Sequence, residues 1–133
     1  MQYALLIYEP AQQFDDRTRP DDDESWGPWR DYHRALVDAG IYAGGSPLDR
    51  PDTTATTLRV RGGERQVQDG PFADTKEQLG GFIIVELPTL DAALEWAARC
   101  PAAEYGAVEV RPLADLRRVF GPDVIGRLGS ARG

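Results

Sequence analysis

Gly80-Gly81-Phe82-Ile83-Ile84-Val85-Glu86-Leu87-Pro88-Thr89-Leu90-Asp91-Ala92-Ala93-Leu94 runs from a central strand into a capped helix. Phe82 to Leu87 is β-branched and aromatic on both alternating faces, which suits a strand covered on two sides. Thr89 can cap a helix reaching about Arg99, with Leu90, Ala93, Leu94 and Ala97 on one face and Pro101 past its end. The N-terminal part repeats this pairing. Tyr3-Ala4-Leu5-Leu6-Ile7-Tyr8 is apolar on both faces, and a helix is expected from about Ser25 or Pro28 to Ala39, closed by Gly40. Trp29, Tyr32, His33, Leu36 and Val37 recur at helical spacing and form one stripe facing the sheet. Ala11 to Glu24 separates the two, polar and acidic, with Pro20 and only Phe14 as a large apolar side chain. It reads as a solvated loop, because its acids lack the alternation and fixed glycine of a calcium loop.

Ile41 to Gly45 reads as a short strand and Ser46 to Thr54 as a loop. Thr56–Arg61 and Glu64–Asp69 flank Gly62-Gly63, the strongest hairpin signal in the chain. The simplest register sets Arg61 opposite Glu64, Leu58 opposite Val67 and Thr56 opposite Asp69. Ala107 to Arg111 alternates, with Val108 and Val110 inward. With the hairpin set aside, the order is strand, helix, strand, strand, helix, strand. That is an α+β, ferredoxin-like split βαβ sandwich with an inserted β-hairpin, both helices lying on one face of an antiparallel sheet. Strands apolar on both faces then require cover on the second face. A second copy of the chain is the economical cover, so a twofold homodimer forming a dimeric α/β barrel is expected. Residues 1–113 make up this domain. Residues 114–133 form a C-terminal extension, helical or arm-like, and Leu113, Leu116, Val119 and Phe120 have helical spacing before Gly121-Pro122.

Composition narrows the function. With 133 residues the chain is one domain with its own core. Its single Cys100 excludes an intramolecular disulfide and a cysteine-built zinc site, and one His with dispersed acids shows no metal-ligand spacing. The formal net charge of −7 argues against nucleic acid. The apolar stretches are far short of the roughly 20 residues that span a bilayer, and no signal peptide is evident, so no membrane partner and a cytoplasmic location are expected. Gly44-Gly45, Gly62-Gly63 and Gly80-Gly81 are isolated pairs outside any phosphate-loop or dinucleotide motif, and no cofactor is expected.

Val67-Gln68-Asp69-Gly70-Pro71-Phe72-Ala73-Asp74-Thr75-Lys76-Glu77-Gln78-Leu79-Gly80-Gly81-Phe82 resembles the signature of the DGPF-domain branch of the YCII-related protein family. The opening strand, the hairpin from Thr53, the helix around Ala92 to Ala97 and the closing Val108 to Pro112 resemble it as well. The resemblance implies a dimeric α/β barrel and little defined chemistry. Its wider fold group includes muconolactone isomerase-like enzymes and YCII-type dehydrochlorinases, and members are often encoded near extracytoplasmic-function sigma factors. YCII proteins are associated with a His and Asp pair, matched here by His33 and Asp69.

Histidine is the side chain that ordinarily titrates near neutrality, and His33 is the chain's one histidine, so it is the natural proton-transfer candidate. The alternative is a packed histidine bonded to a carbonyl or carboxylate. Asp69, Asp38 or Glu77 could orient it, and Asp69 could equally brace the turn at Gly70-Pro71. Thr75, Lys76 and Glu77 are its polar neighbours, and Glu109 and Arg111 fall on one face of the last strand, where they could form an ion pair inside the cleft or across the dimer. Tyr32 and Trp29 offer aromatic lining for a small-molecule ligand, anionic or aromatic, with Lys76, Arg59, Arg61 and Arg111 as local positive charge. Two functions follow: a cofactor-free isomerase or lyase using acid–base chemistry in a dimer-enclosed cleft, or a non-catalytic ligand- or protein-binding module in a stress or regulatory circuit.

Overall fold

The spine of the fold is β1, Gln2–Pro10, which is hydrogen-bonded on both sides. These and the following facts come from a computed structural model that describes residues 1–16, 23–73 and 75–124. β1 pairs antiparallel with β5, Glu77–Glu86, on one side and with β6, Ala107–Pro112, on the other. β2, Tyr42–Pro47, joins the outer edge of β5, giving the order β2-β5-β1-β6. α2, Asp23–Asp38, links β1 to β2, and α4, Leu90–Arg99, links β5 to β6. Each linked pair is parallel with one antiparallel strand between its members, which is the split βαβ arrangement of the ferredoxin-like fold.

The core lies between the sheet and these helices. Tyr3, Leu5 and Ile7 alternate inward from β1 and meet Val85, Leu87, Tyr32, Leu36, Ala93, Ala97, Cys100 and Ala102. Residues directly opposite in an antiparallel pair share a face, so Ala4 with Ile84 and Leu6 with Phe82 lie on the other face, away from α2 and α4. Thr89 caps α4 as expected, its side chain accepting from the Ala92 amide at 3.1 Å. Burial pushes the Cys100 thiol up to about 11, leaving it a packed, unreactive group.

The hairpin forms in the expected register. β3, Thr56–Arg61, pairs with β4, Glu64–Asp69, through Leu58 opposite Val67, and Gly62 and Gly63 turn the chain at φ 59° and 79°. It forms a separate two-stranded sheet.

Several segments differ from expectation. Ala11–Asp16 is a helix, α1, because Phe14 swings inward and is buried, where a solvated loop was expected. α3, Pro51–Thr54, is a single turn inside the Ser46–Thr54 loop. β5 begins at Glu77, five residues before the apolar run, because Pro10 and Glu9 extend β1 beside it. The α2 stripe is narrower than its spacing suggested: Tyr32 and Leu36 are buried, whereas Val37 and His33 are exposed. α5, Ala102–Tyr105, and α6, Leu116–Phe120, complete the described helices, and α6 realises part of the helical spacing of the extension. The remainder of the acidic loop at 17–22, residue 74 and residues 125–133 of the extension lie outside the described residues.

The β1–β5 register shifts between Ile7 and Tyr8, and the shift leaves Gly80 against Glu9. A Cβ at Gly80 would stand 2.5 Å from Glu9 Oε1 and 3.1 Å from Phe14 Cζ. Gly27, inside α2, meets nothing within 4 Å. Gly80→Ala is therefore expected to destabilise by about 1–3 kcal/mol through overpacking. Gly27→Ala is expected to change stability by less than about 1 kcal/mol, because the helix-propensity gain is opposed by the Pro28 ring that follows it. Urea unfolding of the two variants checks the contrast, and equal effects would show that the space beside Glu9 is not constrained.

Candidate functional site

β1 continues its inward series past Tyr3, Leu5 and Ile7 to Glu9, which is fully buried. A carboxylate taken from water costs several kcal/mol unless hydrogen bonds replace the lost hydration. Tyr105, at the end of α5, donates its hydroxyl to Glu9 Oε2 at 2.9 Å, and Gly80 leaves the room that Oε1 occupies. The carboxylate is therefore a built feature of the sheet.

Glu9 closes the inner end of a cavity of about 240 Å³ between the sheet and α2. Ile7 and Ile83 form its floor, Trp26, Trp29, Tyr32 and His33 its helical wall, and Tyr42, Gly45 and Pro47 its β2 side. Gly80 and Gly81 contribute bare backbone. His33 stands on the solvent side with its ring edge-on to Tyr42, centroids 4.6 Å apart at 72°. Tyr32 is committed elsewhere: its hydroxyl donates to the Trp96 carbonyl at 2.7 Å, and burial raises its pKa well above the tyrosine range, so it stays protonated. One imidazole and one carboxylate thus border a single space walled by aromatic rings. Such a space can hold a flat apolar body and exchange protons with its polar edge.

The structure places the expected site residues in three groups. His33, Trp29 and Tyr32 line this cavity. Asp69 does not; it is exposed at the end of β4 opposite Thr56, so His33 and Asp69 are not brought together. The corner after it is braced by backbone: the Gly70 amide donates to the Ala55 carbonyl at 2.8 Å, and Thr57 Oγ1 donates to the Gly70 carbonyl at 2.9 Å. Gly70 stands at φ 99°, where a side chain would be strained. Asp38 and Glu77, the other carboxylates considered for His33, also lie outside its cavity.

Thr75 and Glu77 line a different groove, of about 460 Å³, beneath the Asp69–Phe72 corner. Lys76 is exposed and lines neither space. Arg111 lies on the uncovered sheet face opposite Ala4, its Nε 3.9 Å from Glu109 Oε2. The Arg59 guanidinium lies 4.7 Å from the Phe72 ring centroid, on the hairpin. Among the described residues no Lys or Arg lines the His33 cavity, so the expected local positive charge is located elsewhere.

Glu9 is the residue that sequence reasoning missed. Its signal was the period of two: Tyr3, Leu5 and Ile7 point inward, and one more step reaches Glu9. No cluster of three metal-ligating side chains occurs among the described residues, and no described helix is long and apolar enough to cross a membrane.

Residues 1–117 match the YCII-related domain. An uncharacterized protein, R00369, from Rhizobium meliloti (strain 1021) is 39% identical over 118 residues, covering 86% of this chain and 93% of that protein. Among solved structures, 5-chloro-2-hydroxyhydroquinone dehydrochlorinase (TftG) from Burkholderia phenoliruptrix AC1100, in complex with 2,5-dihydroxybenzoquinone, aligns with a TM-score of 0.49 and 16% identity, over 86% of this chain and 94% of that one. The domain match over most of the chain, the relative at 39% identity and the split βαβ topology agree: the chain belongs to the YCII-related family.

Proposed function

We propose that the chain binds a flat, aromatic small molecule in the cavity between the sheet and α2 and moves a proton on it without a cofactor, as an isomerase or lyase does. The observation that carries this reading is that His33 and Glu9 border one cavity. A proton shift needs two groups on one ligand, one to take a proton beside a carbonyl and one to return it at a second atom. His33 addresses the ligand from the solvent side, where its proton is replaced from water. Glu9 addresses it from the sheet, where Tyr105 fixes one carboxylate oxygen and thereby orients the other. Trp26, Trp29 and Tyr42 supply ring faces for stacking.

The uncovered sheet face bears on assembly. Ala4, Leu6, Phe82 and Ile84 share it with the Glu109–Arg111 pair at one edge. An apolar patch bordered by charge fits a second copy of the chain, and a homodimer with these faces in contact is the assembly we infer.

Two measurements test these readings. A screen of lactones and halogenated phenols is expected to find turnover that His33→Ala and Glu9→Gln each lower by roughly 10²- to 10⁴-fold with the circular dichroism unchanged, while Asp69→Asn leaves it nearly intact. Ligand binding seen by tryptophan fluorescence, with no turnover in any arm, would instead leave a binding module. In sedimentation at micromolar concentration the unaltered chain is expected as a dimer and Ile84→Glu as a monomer, because a carboxylate would have to be buried in the contact. A monomeric unaltered chain would overturn the assembly.

A further inference from the structure

The Asp69–Phe72 corner roofs a groove that no described residue fills. Tyr8 and Leu79 form its base on the uncovered sheet face, Leu48 and Phe72 its apolar sides, and Asp49 and Glu77 its acidic ones. No Lys or Arg lies among its described lining residues. Elsewhere α6 presents the reverse pattern. Leu116, Val119 and Phe120 recur at helical spacing and form one stripe, yet they are 48%, 53% and 61% exposed. Arg117 borders that stripe one step round from Phe120, Arg118 follows it, and the helix contains no acid. Among the described elements, α6 packs extensively only against the short turn Pro122–Val124.

We propose that α6 of one copy seats in the groove beneath the Asp69–Phe72 corner of a second copy. This rests on the dimer inferred above and adds a segment to it. The two surfaces match in kind: an apolar stripe bordered by arginine meets apolar walls bordered by carboxylates. Reach also favours the second copy over the first. The Leu113 amide donates to the Gln2 carbonyl at 2.9 Å, which holds the start of the extension at the first residue of β1. The groove lies at Tyr8, so six strand steps, roughly 20 Å, separate the two along the same chain. When two uncovered faces meet about a twofold axis with their strands antiparallel, the Gln2 end of one β1 lies over the Tyr8 end of the other. The extension of each copy then starts beside the groove of its partner, and both grooves are filled by the same operation.

Disulfide trapping tests this directly. Leu48→Cys and Val119→Cys are made as separate proteins in a Cys100→Ala background, mixed and oxidised with glutathione disulfide. The expected result is a covalent heterodimer on non-reducing gels, well above that from a control pair in which Val37→Cys, on the exposed side of α2, replaces Val119→Cys. A dimer in sedimentation that gives no cross-link above the control overturns the seating of α6 while leaving the dimer standing. A monomer in sedimentation removes both. Charge exchange gives an independent readout: Arg117→Glu with Arg118→Glu is expected to raise the dimer dissociation constant at least tenfold, and adding Asp49→Lys with Glu77→Lys is expected to restore it. No restoration overturns the proposed pairing.

Discussion

A carboxylate occupies the position where the inward series of β1 would ordinarily place a fourth apolar side chain. Burying it unsolvated would cost several kcal/mol, a large fraction of the stability of a domain this size. Neighbouring parts of the fold are arranged around that cost. α5 places the Tyr105 hydroxyl 2.9 Å from one oxygen, and the β1–β5 register shift places a glycine beside the other. Phe14 packs close by and thereby turns the start of a polar connection into a helix. Replacing Glu9 with leucine would relieve the cost in one step, so its presence points to a use beyond stability. The space it borders is shared with His33.

Local signals made most of the architecture legible. Gly62-Gly63 dictates a two-residue turn, and the turn alone sets every pair of the hairpin down to Thr56 with Asp69. Thr89 and Pro101 bracket α4 because capping and proline act within one turn of the residue concerned. The sheet order followed from topology: two strand–helix–strand units with all neighbours antiparallel admit few arrangements. What escaped were features decided by tertiary partners. Ala11–Asp16 has the composition of a loop and becomes a helix because one side chain, Phe14, finds a buried place. β5 extends back through Glu77-Gln78 because β1 is there to pair with it.

The site was half legible for a related reason. His33 stood out by rarity, and its helical spacing with Trp29 set both on one stretch of α2, where both line one cavity. A carboxylate for it was sought at Asp69, in the most distinctive motif, and the structure places Asp69 outside the cavity that His33 lines. The Asp69–Phe72 corner serves the hairpin and the groove on the opposite side of the sheet. Glu9 was hidden by its place beside Pro10, which reads as the end of a strand although β1 continues through both.

The two faces of the sheet thus divide the work. On the inner face, helices close over aromatic rings, an imidazole and a carboxylate, and no described Lys or Arg lines the space. The outer face carries the opposite inventory: apolar strand residues, the Glu109–Arg111 pair and, at its Tyr8 end, the acidic groove. β1 and β5 belong to both faces, which is why their sequences are apolar at odd and even positions alike. A change at Tyr8 or Leu79 therefore acts one residue away from Glu9 or Gly80 in the same strand. The backbone of β1 and β5 carries both the outer-face side chains and the buried carboxylate.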